Sequence, residues 1–146
     1  GSMIAKSYNN NTDENDIVLI GSVRSFQDQE IEVARTARGK GSYTVVFCPY
    51  STDGDASGVR LFKEVDEAFN TYCNEREGVI EVKGFPEKVS PLSGLTGNLI
   101  HWMLMAQWAY HMARRGEMPH FYRGIHENGG LEYDNAVRPF FLERGY

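Results

Sequence analysis

A short turn of small and polar residues is the part of this chain best suited to chemistry. The apolar run Ile17–Ile20 is followed directly by Gly21-Ser22-Val23-Arg24-Ser25. Hydroxyls, a guanidinium and backbone N–H groups would meet there at the carboxyl end of a strand, where open α/β sheets bind ligands. Ser25, with Asp28 three residues later, predicts a capping box at the start of the next helix. The turn therefore predicts an anion site, with a nucleotide phosphate as its first candidate.

The composition describes an acidic domain of ordinary size. The chain has 146 residues, with 15 Lys and Arg against 20 Asp and Glu and a formal net charge of −5. This balance argues against nucleic-acid binding, because a nonspecific interface needs many cations to replace counterions. The two cysteines, Cys48 and Cys73, are too few for a disulfide framework and predict a reduced, cytoplasmic protein. The apolar stretch Leu99–Ala113 is too short to span a membrane, so no membrane partner is expected.

Alternating apolar segments predict the element order. We expect residues 1–16 to be a cloning remnant and a flexible leader, and residues 17–146 to form a single α/β domain. The fold class expected is a three-layer, mostly parallel sheet with helices on both faces, Rossmann-like in its organisation. The predicted elements are a first strand at 17–20, a helix ending at Gly39 and Gly41, a strand at Tyr43–Phe47, an amphipathic helix from Val59 to about Glu75, a strand at Val79–Val82, a long helix at Asn98–Arg115 with Gly116 after it, and a fourth strand at Met118–Tyr122.

A small, polar loop follows the second strand at the same edge of the predicted sheet. Its acidic members, Asp53 and Asp55, are candidates to orient sugar hydroxyls. An acidic turn that satisfies its own backbone is the alternative. The neighbouring sequence Cys48-Pro49-Tyr50-Ser51 is similar to the active turn of glutaredoxins, but no helix follows at once and serine replaces the resolving cysteine. A buried structural cysteine is the favoured interpretation.

The long helix carries polar residues among many apolar ones. Gln107, His111 and Arg114 share a stripe with His101 nearby, and this stripe either lines a pocket or faces solvent. The four histidines show no metal-ligand spacing, so neither a metal nor a cofactor is predicted. The apolar residues of the helix predict a homodimer or a higher homo-oligomer.

The order of parts resembles the nucleoside 2-deoxyribosyltransferase family and its relatives, the 2′-deoxynucleoside 5′-phosphate N-hydrolases. The segment 17–24 resembles the first strand and its Gly-Ser-x-Arg turn, which implies phosphate contacts from Ser22 and Arg24. Asp66 matches an acidic residue placed before the third strand of the family, which implies a catalytic role in orienting the sugar or protonating the base. The segment 93–97 resembles the small-residue loop before the catalytic helix. The resemblance implies a deoxyribosyltransferase-like fold and a neighbour's C-terminal segment, with Tyr146 as a candidate, completing each pocket.

The family's catalytic glutamate is missing from the long helix. Counting back from the end of the helix places Gln107 at that position, and counting forward places Asn98 or His101 there. An amide cannot act as the carboxylate nucleophile, so Glu81 or Glu132 would have to supply the acid. The expected function is therefore nucleotide or nucleoside binding, with N-glycosidic bond hydrolysis or deoxyribosyl transfer as its catalytic form. The alternatives are a nucleotide-sequestering protein and a protein-interaction protein.

Overall fold

The computed structural model describes residues 12–50, 60–73, 78–117, 119–121 and 123–143. The chain divides into two compact units, of which the first ends at Trp102 and the second begins at Met103.

A parallel three-stranded sheet forms the centre of the first unit. Its strands are β1 (Ile17–Gly21), β2 (Tyr43–Cys48) and β3 (Glu67–Asn70), in the spatial order β1-β2-β3. In the register, Gly21 is opposite Phe47, and Phe47 is opposite Phe69. The carboxyl ends of all three strands therefore lie at the same edge of the sheet. The predictions of the first two strands are confirmed within one residue at their ends.

Helix α1 (Asp28–Gly39) covers one face of this sheet. Side chains alternate between the faces of a strand, so Ile20 and Val46 share the face that α1 covers. The helix ends at Gly39, and Gly41 has a φ of +87°, a conformation that favours glycine. The buried apolar core of this layer consists of Val18, Ile20, Ile31, Ala34, Ala37, Val46, Cys48 and Leu61.

The prediction of an amphipathic helix from Val59 to about Glu75 is wrong. Within its described part, 60–73, the chain forms a 3-10 helix at Leu61–Lys63 and then β3. Apolar residues three or four apart suit a helix, but the open edge of β2 supplies backbone partners that a local pattern cannot show. The Asp66 backbone donates to the Thr44 carbonyl at 3.1 Å, and the Thr71 backbone donates to the Cys48 carbonyl at 3.1 Å.

The strand predicted at Val79–Val82 does not join the parallel sheet. Strand β4 (Gly78–Ile80) pairs antiparallel with β5 (Val89–Pro91) in a separate two-stranded sheet. A Cβ atom on Gly78 would lie 2.0 Å from the Lys88 carbonyl oxygen, so the close approach of these strands requires glycine. The Lys88 ammonium and the Glu81 carboxylate form an exposed ion pair at 3.0 Å.

Helix α2 (Ser93–Arg114) begins five residues earlier than predicted and ends where the sequence indicates. The Gly116 backbone donates to the Ala113 carbonyl at 3.0 Å, and the Glu117 backbone donates to the Met112 carbonyl at 3.0 Å. These two bonds define a Schellman motif with Gly116, at a φ of +78°, as its left-handed residue. The prediction of Gly116 after the helix is confirmed.

The second unit contains the end of α2 and helix α3 (Gly130–Glu143), a helix that was not predicted from the sequence. The Arg123 backbone donates to the Asp134 carboxylate at 2.6 Å, and the Arg123 guanidinium lies 4.0 Å from the Tyr133 ring centre. The described residues of the predicted fourth strand, 119–121, are not in a strand.

The protein is thus a mixed α/β protein with a small parallel sheet and helices. In the part of the chain that the structure describes, none of the helices combines the length and the apolar character that crossing a membrane requires.

Candidate functional site

A cavity of about 360 Å³ lies at the carboxyl end of β1, within the first unit. Its walls are formed by the end of β1 and the turn after it, the carboxyl end of β2, the residue that follows β3, and the first turns of α2. Its described lining residues are Leu19, Gly21, Ser22, Val23, Phe47, Thr71, Ser93, Gly94, Gly97, Asn98 and His101.

The first turns of α2 present one face to this cavity. Ser93, Gly97 and His101 are spaced four residues apart, which places them on one side of the helix. Gly94 and Asn98 flank that row. The Cys73 thiol contacts the Thr96 hydroxyl at 3.3 Å and joins this part of the helix to the segment after β3. The first backbone N–H groups of a helix have no partner within the helix, so this end of α2 suits an anion.

The turn after β1 is held by the Ser22 side chain. The Ser22 backbone donates to the Phe47 carbonyl at 2.9 Å, which extends the pairing of β1 with β2 by one bond. The Ser22 hydroxyl accepts the Arg24 backbone N–H at 3.2 Å and also contacts the Arg24 carbonyl and the Glu30 carboxyl. Ser22 is therefore buried and engaged with its own turn as well as lining the cavity.

Glu30 is a buried carboxyl group beneath this turn. Its exposure is 2%, and burial raises its pKa, while the hydrogen bond with Ser22 acts in the opposite direction. The Ser22 hydroxyl has one hydrogen, which it can donate either to the Glu30 carboxyl or to the Arg24 carbonyl at one time. Sequence reasoning missed Glu30. The signal was its spacing, because positions 30, 34 and 37 share the buried face of α1.

Cys48 lies in the core near Glu30. Burial and the negative charge of Glu30 raise the pKa of the Cys48 thiol to about 12. A thiol needs its thiolate form to react, so this environment opposes redox chemistry. The interpretation of Cys48 as a packing residue agrees with its complete burial.

The cavity brings together four of the residues predicted to bind substrate: Gly21, Ser22, Asn98 and His101. Arg24 is exposed and is not among the described lining residues. Ser25 is fully buried, and its carbonyl accepts the Leu61 backbone N–H at 2.6 Å. The predicted capping box is wrong, because Gln27 is the N-cap residue of α1 and makes no side-chain cap bond.

Asp66 lies at the opposite end of the sheet from the cavity. It precedes β3, and its carboxylate accepts the Thr44 backbone N–H at 2.8 Å and the Thr44 hydroxyl at 2.7 Å. These hydrogen bonds, and then the Arg38 guanidinium at 3.2 Å, lower the pKa of Asp66. Its contacts are those of a residue that ties β2 to the start of β3, and its catalytic role stays a prediction.

The other predicted residues are placed as follows. Glu81 is exposed and paired with Lys88, Gln107 is exposed on the part of α2 in the second unit, and Glu132 lies in the first turn of α3. Asp53, Asp55 and Tyr146 lie outside the described residues. No group of three or more metal-ligating side chains occurs in the part of the chain that the structure describes.

The fold and the cavity define a mixed α/β protein with a candidate binding site at the carboxyl edge of its parallel sheet. No family model matches the chain. The chain is similar to a UPF0309 protein of Shouchella clausii, with 26% identity over 129 residues. It is also similar to UPF0309 proteins of a Geobacillus species, at 25% identity, and of Listeria monocytogenes, at 24% identity.

These matches cover 85%, 88% and 89% of this chain but only 52%, 54% and 58% of the respective relatives. The chain therefore spans about half the length of the curated relatives it matches. Their names state no ligand and no reaction, so the cavity itself carries the argument about function.

Proposed function

We propose that the cavity binds a phosphate monoester of a small molecule, with a nucleoside monophosphate as the first candidate and a sugar phosphate as the second. The observation that carries this proposal is the meeting of the β1 turn with the N-terminal turns of α2 around one cavity. Both elements offer backbone N–H groups at a sheet edge where α/β proteins bind ligands. The three-layer arrangement is part of the proposal, with a helical layer over the sheet face that carries Phe69.

The size and the lining of the cavity support a small ligand. A volume of about 360 Å³ is at the lower end of the range for small-molecule sites, which is roughly 300–1,000 Å³. Leu19 and Phe47 supply apolar surface, while Asn98 and His101 supply an amide and an imidazole that can orient hydroxyls. Ligand sites of this kind combine an apolar wall with a few placed polar groups.

The charge of the lining indicates how a phosphate would be held. The described lining residues include no Lys and no Arg, so the α2 N–H groups and the positive end of its dipole would carry the anion. His101, two turns from the start of α2, can donate a further hydrogen bond. Arg24 remains a candidate phosphate ligand from the β1 turn.

Binding is proposed in preference to catalysis. Cleavage or transfer at an N-glycosidic bond requires a carboxylate near the reacting carbon. The described lining residues include no Asp and no Glu, and Glu30 is buried beneath Ser22. A nucleotide-sequestering role therefore has more support than the hydrolase or transferase activity.

Calorimetric titration tests the proposal with four probes: deoxyadenosine 5′-monophosphate, deoxyadenosine, ribose 5-phosphate and inorganic phosphate. We expect a phosphate monoester to bind and deoxyadenosine to bind at least about tenfold more weakly, because charge-assisted hydrogen bonds are lost. Tighter binding of the nucleotide than of ribose 5-phosphate would show that the cavity recognises a base. The reverse order would identify a sugar phosphate as the ligand class. Failure of both phosphate monoesters to bind at millimolar concentration would overturn the proposal.

Two histidine variants locate the site. His101→Ala removes a lining side chain and should weaken binding of the preferred phosphate monoester about tenfold, the value of one good hydrogen bond to an anion. His126→Ala, an exposed histidine in the second unit, is the matched control and should bind as the parent does. Equal affinity of the parent and His101→Ala would place the ligand elsewhere.

A further inference from the structure

A stripe of apolar and small residues runs along the whole of α2. Its members are spaced four, three, four, three and four residues apart, which is the repeat of a helix-pairing surface. At about 100° per residue they fall within an arc of about 80°. The members are Leu95, Leu99, Trp102, Ala106, Ala109 and Ala113, and we call this stripe the α2 seam.

Five of the six residues of the α2 seam are exposed in the single chain, and Ala109 is half-buried. Leu95 is 68% exposed, Leu99 58% and Trp102 68%, and no residue of α2 is buried. A helix that is largely apolar is normally covered, because exposed apolar surface is costly in water. From Ser93 to Ala113 the helix contains no Asp, Glu, Lys or Arg, so pairing with an identical helix brings no like charges together.

The side chains of the α2 seam change in size along the helix. The first half carries Leu95, Leu99 and Trp102, and the second half carries three alanines. In an antiparallel pair of identical helices centred on Leu104, each large residue faces an alanine of the other copy. Leu95 is then opposite Ala113, Leu99 opposite Ala109, and Trp102 opposite Ala106.

We propose that a second copy of this chain occupies the α2 seam in this antiparallel arrangement. Large residues then fill the space that the alanines leave, as close packing of an interface requires. A parallel arrangement would place Trp102 on Trp102 and alanine on alanine, with crowding at one position and gaps at three. A two-fold axis through the centre of the pair closes the assembly at a dimer.

Most of the cavity lining on α2 lies away from the α2 seam. At 100° per residue, Gly97 lies about 160° around the helix from Leu99, and His101 about 100° from Trp102, whereas Asn98 lies about 40° from Trp102, beside the seam. The proposal stands whether or not the cavity binds a phosphate monoester.

Sedimentation equilibrium tests whether a second copy occupies the α2 seam. Measurements between 1 and 200 µM cover dissociation constants that are roughly micromolar. The parent chain should be a dimer, and Trp102→Ser should weaken the dimer about 30-fold, the effect of losing a central aromatic anchor. Trp108→Ser is the matched control, because Trp108 is also exposed, at 42%, but lies about 120° from Trp102 around the helix. It should leave the dimer intact.

A monomeric parent over the whole range would overturn the proposal and leave the α2 seam to another occupant. If Trp102→Ser and Trp108→Ser weakened the dimer equally, the proposal would also be overturned, because the dimer would then not depend on the α2 seam in particular.

A charge-pair experiment tests the antiparallel arrangement. Leu99→Lys and Ala109→Glu each place a charge in the pairing surface and should each be monomeric at 10 µM. Mixing them should restore a dimer. In the antiparallel pair, the lysine at position 99 of one copy faces the glutamate at position 109 of the other, and the second 99–109 contact keeps the parent leucine and alanine. Circular dichroism of each variant monitors the helix content. Failure of the mixture to dimerise while both variants stay helical would overturn the arrangement.

Discussion

The Ser22 hydroxyl contacts the buried carboxyl group of Glu30, and this contact joins the β1 turn to helix α1. The same hydroxyl caps the backbone of Arg24. One wall of the candidate cavity is therefore held by a buried carboxyl group that is not among the described lining residues.

The first prediction concerns the pH dependence of Glu30. Its folded-state pKa is raised by burial, so the folded protein binds a proton that the unfolded chain releases above about pH 4.5. The free energy of unfolding should fall as pH rises from about 4.5 through the folded pKa. Glu30→Gln should remove this component, because an amide does not titrate in this range while its oxygen can still accept from the Ser22 hydroxyl.

Urea unfolding at several pH values measures that effect, with Glu32→Gln as the control on the exposed face of the same helix. A decline of the same size in the parent and in Glu30→Gln would contradict the assignment.

The second prediction separates the two contacts of Asp66. Asp66→Ala should cost about 1–3 kcal/mol, because it leaves the buried Thr44 backbone and hydroxyl groups without their acceptor. Arg38→Ala removes an exposed ion pair and should cost less than about 1 kcal/mol. The lowered pKa of Asp66 means that its contribution is present above about pH 3.8 and is lost as pH falls through the folded value. Denaturation of both variants at pH 7 checks the order, and a larger cost for Arg38→Ala would reverse the interpretation.

The third prediction concerns the two cysteines. A thiol reagent should modify Cys73, which is half-buried, in the native protein and should reach Cys48 only on unfolding. The reason is the complete burial of Cys48 and its raised pKa. Mass spectrometry of the native and unfolded protein identifies the labelled residue, and a Cys73→Ala variant should then show no fast labelling. Fast labelling of that variant would revive the redox interpretation.

The fourth prediction distinguishes the fold from the candidate site at Gly97. Apart from its own helical turn, no atom of the described residues lies within 4 Å of a Cβ added there, and the residue is within α2. Gly97→Ala should raise the free energy of unfolding by about 0.5–1 kcal/mol, the helix preference of alanine over glycine. The same methyl group would enter the candidate cavity and should weaken binding of a phosphate monoester.

Thermal unfolding and calorimetric titration of one Gly97→Ala preparation measure both effects. Higher stability with unchanged binding would show that the ligand does not approach this face of α2.

The first half of the fold was predictable because its signals are local. A β-branched run, a glycine-ended helix and a second β-branched run define β1, α1 and β2. The end of α2 at Gly116 was predictable for the same reason, since a left-handed residue after a helix favours glycine. In the candidate site, Gly21, Ser22, Asn98 and His101 could be predicted from the sequence, because their residue types and their positions beside a strand or a helix suit ligand binding.

The sequence by itself determined the elements with clear local signals, which are β1, α1, β2 and the end of α2. It also indicated four of the residues that line the cavity: Gly21, Ser22, Asn98 and His101. Only the tertiary structure decided that 67–70 forms a strand, that β4 pairs with β5, and that Glu30 lies beneath Ser22. Pairing along β2 and burial against α1 depend on residues distant in the chain, and their free energies outweigh a local helical pattern. Spacing placed Asp66 within an expected helix, but its partners Thr44 and Arg38 come from other elements, and these contacts fix its position before β3.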